Sequence, residues 1–136
     1  MNMISRDERK RQKGLKKFFN SFTYPMKGLN YAYRNEQNLA FDVGMALIVV
    51  IFGFIFKIDK IEWIILVLTI GLVISCELIN TAIEATVDLV TQEYHPLAKV
   101  AKDTSAAAVF VFAIISVIVG VIIFLPRIID LFKGVI

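Results

Sequence analysis

Cysteine occurs once, proline three times and glycine seven times in 136 residues, and each scarcity closes off a class of protein. The single Cys76, set in an apolar stretch, permits no internal disulfide and reads as a small core residue. The glycines never form G-x-x-x-x-G-K-[ST] or the Gly-rich loop of a soluble kinase, so no familiar soluble nucleotide fold applies. Alternation of apolar and polar residues is missing from the hydrophobic segments, which excludes a transmembrane β-barrel. The basic, mixed N-terminal stretch lacks the short apolar core and small-residue cleavage site of a signal peptide, so the first apolar segment is expected to stay in the protein.

What is present is hydrophobic: 57% of the residues are apolar, and mean hydropathy is +0.70. Three apolar runs, 39–56, 61–90 and 106–125, each come near the ~20 residues that span hydrocarbon as a helix. The expected fold is all-α: one integral membrane domain, 1–136, with three transmembrane helices. Residues 1–37 form a basic tail and an amphipathic surface helix ahead of them. Within that helix Leu15, Phe18, Phe19, Phe22, Met26 and Leu29 recur at intervals of three and four, the apolar face of a helix lying on a bilayer. Pro25 predicts a kink or a break into two short helices. Lys and Arg crowd 6–34, whereas the next connection holds only Lys57 and Lys60. That asymmetry puts the N-terminus and the 91–105 connection in the cytoplasm and the C-terminus outside the cell membrane. The net charge is +3; most of the basic residues sit in one block beside the membrane and serve topology and anionic lipid, with no motif for nucleic acid.

The informative feature lies within the second run, where Glu77, Asn80, Glu84 and Asp88 occur at helical spacing. An ionisable group at membrane depth costs at least ~2.5 kcal/mol and marks a functional site whose partner should be sought. By helical rise Glu77 lies about 21 Å from Trp63, an aromatic suited to the outer interface, so it falls just inside the opposite boundary of a ~30 Å core. Glu84 reaches that boundary. Turning by ~100° per residue places Glu77, Glu84 and Asp88 on one stripe, with Asn80 to one side. Glu36 precedes the first span and Lys102 and Asp103 precede the third, so all three helices bring polar groups to one level. Such a site suits transfer of phosphate from a soluble donor to a lipid hydroxyl. That reaction needs positioning, a base, and Mg²⁺ held by carboxylates such as Glu36 and Glu84, with Lys102 meeting phosphate. An ion or proton carrier is the competing class, although 63–76 offers only Thr69 and Ser75 to continue a polar path. A scaffold anchored by its basic tail is a third.

The run E-L-I-N-T-A-I-E-A-T-V-D, followed by E-Y-H-P-L-A-K-V-A-K-D-T-S-A-A-A-V, closely resembles the small prokaryotic diacylglycerol kinase family, which includes undecaprenol kinases of Gram-positive bacteria. The resemblance covers residues 17 to about 123. It implies a homotrimer of three-span subunits with shared active sites, moving the γ-phosphate of ATP to a membrane lipid alcohol with Mg²⁺. Position by position it makes Glu77 the general base and Glu36 and Glu84 the Mg²⁺ and nucleotide ligands, with Asn80 beside them. Lys17, Tyr24, Glu93, Tyr94, His95, Lys102 and Asp103 match nucleotide-contacting places. Lys17 stands where the family's arginine would grip phosphate in a fork, which lysine cannot do. Asp88 matches a polar position of structural role, and 38–42 departs from the family pattern near the lipid. Plain alternatives stand beside these: His95 as a solvated loop histidine, Glu93 as a helix-end charge, Asn80 as a self-satisfying bond across helices, and 105–108 as small packing residues. The extended basic N-terminus and the 95–103 loop resemble undecaprenol-directed members, with diacylglycerol as the alternative lipid.

Overall fold

The structure, a computed structural model, describes residues 15–133. Its helices are α1 (Leu15–Asn35), α2 (Gln37–Ile55), α3 (Lys60–Val90) and α4 (Pro96–Lys133), and no strand occurs among the described residues. They fall into two units, Met1–Asn35 and Glu36–Ile136. In the first unit α1 is a strongly amphipathic helix that runs through Pro25. The expected break into two helices therefore does not occur. Proline removes one N–H from the ladder, and the turns on either side carry the helix past it. Phe18 and Phe22 meet edge to face with ring centroids 5.1 Å apart and stay more than half exposed. They form the kind of apolar stripe that rests on a bilayer surface. The basic residues before position 15 and the side chain of Lys17 lie outside what is described.

In the second unit α2, α3 and α4 are each long and apolar enough to cross a membrane. With 31 residues in α3 and 38 in α4, these helices are about 46 and 57 Å long at ~1.5 Å per residue. Both outrun a ~30 Å hydrocarbon layer. α4 begins at Pro96, so the connection expected over 91–105 shrinks to 91–95. Ala, Leu and Lys in 97–102 favour helix, and proline suits a first helical position. His95 stands just before it, its Nδ1 accepting from the Leu97 N–H at 3.2 Å.

α3 is the central helix, packing along α4 and against α2. Leu66, Thr69, Val73, Glu77, Asn80 and Thr81 form its buried face, at intervals of mostly three and four. Phe41, Phe54, Phe110 and Ile122 are about two-thirds exposed, as expected where the surrounding solvent is hydrocarbon. The core lies at the α2–α3 turn, where Ile58, Leu66, Ile123 and Phe124 pack with Trp63 and Phe56 around them. Gly53 is required there, because a Cβ would stand 2.7 Å from the Trp63 ring.

Two polar devices close this turn end. Asp59 caps α3 by accepting from Ile61 N (2.7 Å) and Glu62 N (2.9 Å), and Glu62 reaches back to Asp59 N at 2.8 Å. The same Glu62 carboxylate takes both arms of Arg127, at 2.9 and 2.6 Å. This bidentate bridge fastens α3 to α4 across 65 residues of sequence.

Candidate active site

At the other end of α3 the polar groups are arranged differently. Glu77 is 4% exposed, yet among the described residues its carboxylate has neither hydrogen bond nor ion pair. One turn on, Thr81 donates to the Glu77 carbonyl at 3.0 Å, so that hydroxyl is satisfied within the helix. Asn80 donates from Nδ2 to Glu84 Oε1 at 2.9 Å, while its Oδ1 is buried without a partner. The asparagine therefore orients Glu84 and leaves one acceptor in demand. Along the stripe the burial grades off, from buried Glu77 and Asn80 through half-buried Glu84 to exposed Asp88.

α2 brings two more carboxylates to this level. Glu36 stands at its N-cap in extended conformation with no capping hydrogen bond from its side chain, so the carboxylate is left for other partners. Asp42 lies about one and two-thirds turns further along. The charges of Asp42, Glu36 and Glu84, in falling order, act on Glu77. Like charges gathered in a poorly hydrated place call for a cation or a proton. Among the described residues no three His, Cys, Asp or Glu side chains come close enough to enclose a metal ion.

Beyond Glu84 the α3–α4 connection forms a cleft of about 410 Å³. Glu93, Tyr94, His95, Lys102 and Asp103, five of the seven residues matched to nucleotide-contacting places, line it. This volume falls within the ~300–1,000 Å³ of small-molecule sites. Lys102 bonds Asp88 at 2.6 Å, and Lys99 pairs with Asp103. Both pairs are solvated and weak, so a phosphate can compete for either lysine. Glu84 connects the two groups, since its charge acts on both Glu77 and Lys102. Tyr24 lies on α1 in the first unit.

Two features of the site escaped the sequence reading. Asp42 is a carboxylate inside the first apolar run, and the reasoning that singles out Glu77 in the second run would have found it. Asp88, read as structural, is the partner of Lys102. That pairing depends on how α3 and α4 are rotated against each other and left no local trace.

Residues 23–124 match the family model for prokaryotic diacylglycerol kinase. The chain is 49% identical over 125 residues to an undecaprenol kinase of Bacillus subtilis, covering 92% of this chain and 99% of that protein. It is 35% identical over 112 residues to a diacylglycerol kinase of Haemophilus influenzae, covering 82% and 95%. It is 34% identical over 105 residues to a diacylglycerol kinase of Escherichia coli K12, covering 77% and 86%. With three apolar helices around an acidic cluster and a family match over most of its length, the chain belongs to the prokaryotic diacylglycerol kinases, a family of membrane lipid kinases.

Proposed function

We infer that this protein transfers the γ-phosphate of ATP to undecaprenol, with Glu77 as the general base. The observation that carries this reading is the Glu77 carboxylate, buried, unpartnered and one turn from the Asn80–Glu84 pair. A carboxylate without a hydrogen bond is free to accept a proton from a lipid hydroxyl that approaches it. As that proton moves to Glu77, the hydroxyl oxygen bonds to the γ-phosphorus, the bond from γ-phosphorus to the bridging oxygen breaks, and ADP leaves with the electron pair.

Glu84 and Glu36 would hold Mg²⁺, with the unpartnered Asn80 Oδ1 beside them. These are hard oxygen donors, and Mg²⁺ is commonly held by one or two carboxylates together with substrate phosphates. The ion supplies neutralisation of charge on the phosphate oxygens. Lys102, released from Asp88, meets the phosphates as a point charge, and Asp103, Glu93, Tyr94 and His95 line the cleft that receives the nucleotide. Nδ1 of His95 is already engaged by Leu97 N, so only its Nε2 edge is available to a ligand. By resemblance Tyr24 and Lys17 also match nucleotide-contacting places.

The working unit is a homotrimer with sites shared between neighbours. Inward-facing carboxylates on a three-helix subunit favour partners that cover them. The basic N-terminus and the cleft face the cytoplasm and the C-terminus lies outside, as the excess of Lys and Arg in 6–34 argues. An ion carrier is disfavoured because residues 63–76 offer only Thr69 and Ser75 to continue a polar path.

Undecaprenol is favoured by the Bacillus subtilis relative. The test is purified protein with labelled ATP, Mg²⁺ and either undecaprenol or diacylglycerol. Faster labelling of undecaprenol is expected. Preference for diacylglycerol reassigns the acceptor, and no labelled lipid in either arm overturns the reading.

A further inference from the structure

The α3–α4 cleft carries more negative than positive charge before any ligand arrives. Its lining includes Asp88, Glu93 and Asp103 against Lys99 and Lys102. Each lysine is already paired: Lys102 Nζ, on α4, bonds Asp88 Oδ1 of α3 at 2.6 Å, and Lys99 pairs with Asp103 one turn further on. The Asp88 side chain is 55% exposed and that of Lys102 38%, so their pair does little to hold the helices together. An acidic residue that adds little to the fold, and stands where a polyphosphate has to bind, calls for a functional reason. A phosphate oxygen bonded to Lys102 at about 2.8 Å comes within about 5.4 Å of the Asp88 carboxylate while the pair persists. When the lysine lets go, Asp88 faces the same phosphate with its charge uncompensated. The Lys99–Asp103 pair repeats the arrangement, and each cation offered to a polyphosphate thus brings a carboxylate with it.

We propose that Asp88 is a specificity-determining residue of the nucleotide cleft, which turns away a bare nucleotide polyphosphate and admits one whose charge a divalent cation has partly neutralised. The inference rests on the lipid-kinase reading and adds to it a choice between two charge states of the same donor. Asp88 need touch neither the transferred phosphate nor the ion for this. Repulsion scales with the charge on the polyphosphate, whereas contacts to the purine and ribose are the same for both forms. The bare form carries about two more negative charges; at about 5.4 Å from a carboxylate in water, and roughly halved by physiological salt, these correspond to a preference of about threefold. Asp103 acts in the same direction. The result is a cleft kept clear of metal-free nucleotide.

The experiment measures binding without turnover. Full-length protein in detergent is equilibrated with labelled ATP and no lipid acceptor, once in EDTA and once in excess Mg²⁺, and the dissociation constant is read in each. Wild type is expected to bind the Mg²⁺ complex more tightly. In Asp88→Asn the affinity for bare ATP is expected to rise about threefold and that for the Mg²⁺ complex by less, narrowing the gap between them. Asp88→Glu, which keeps the charge, is expected to keep the gap. Unchanged affinity for bare ATP in Asp88→Asn overturns the proposal, whether the Mg²⁺ complex is weakened, which would make Asp88 a ligand of the ion, or is unchanged as well. Weakening of both forms overturns it too, since Asp88 would then serve to aim Lys102. Should Asp88→Asn not fold, Asp88→Ser is read in the same two arms, and loss of the fold in both variants would assign the pair to fastening and end the proposal. A wild type that binds neither form sinks the kinase reading, whereas one that binds both equally sinks only this inference.

Discussion

The two ends of α3 use acidic residues in opposite ways. At the turn end Glu62 is fully engaged, closing the Asp59 cap and gripping Arg127 with both oxygens. At the loop end Glu77 is more deeply buried and has no partner, and Asn80 keeps an unused acceptor. A polar group in a low-dielectric place either finds its complement within the fold, adding stability, or is held for something that arrives later. One helix thus carries a fastened end, where the core and the paired charges sit, and a poised end, where Glu77 and the Asn80 acceptor are buried without partners.

The sharpest way to break this contrast is Glu77→Gln. Phosphotransfer to lipid is expected to fall by ~10²–10⁴-fold, the share usually supplied by a positioned base, while the thermal midpoint holds or rises because a crowded charge has gone. Near-normal turnover would remove Glu77 from the chemistry. Next comes Glu84→Gln, which should raise the Mg²⁺ needed for half-maximal rate by roughly tenfold, the loss of about one charge-assisted contact. An unchanged metal titration would place the ion elsewhere.

Arg127→Met addresses the fastened end. We expect about 1–2 kcal/mol of lost stability by thermal melting, below that of a fully buried pair because the two side chains remain 28 and 23% exposed. Phosphotransfer per folded molecule at low temperature should be unaffected, and a specific catalytic defect there would mean that the two ends are coupled. The smallest effect belongs to Asp88→Asn. Its pair with Lys102 is solvated, so no measurable shift in thermal midpoint is expected. A clear drop would make Asp88 part of the fastening and not of the cleft.

Much of this was readable from local pattern. The runs at 39–56 and 61–90 became α2 and α3 with nearly the same limits, because twenty or so apolar residues in lipid can satisfy their backbone only as helix. The third run understated α4, which also takes in 96–105 and 126–133. Apolarity marks what hydrocarbon covers, whereas helix continues wherever propensity allows. The break allowed for at Pro25 did not occur for a related reason, since one lost hydrogen bond does not end a helix flanked by good turns. In the site, the stripe from Glu77 to Asp88 followed from helical geometry alone, and the 93–103 cluster from its motif.

Rise, turn and the intolerance of hydrocarbon for unpaired backbone are properties of neighbouring residues, so composition and spacing sufficed for the helices, their apolar lengths and the acidic face of α3. Contacts between helices depend instead on rotation and register, which no short stretch of chain encodes. The approach of Asp42 to Glu77, the grip of Glu62 on Arg127 and the Lys102–Asp88 pair all arise at that level, and only packing the three helices together brought them into being.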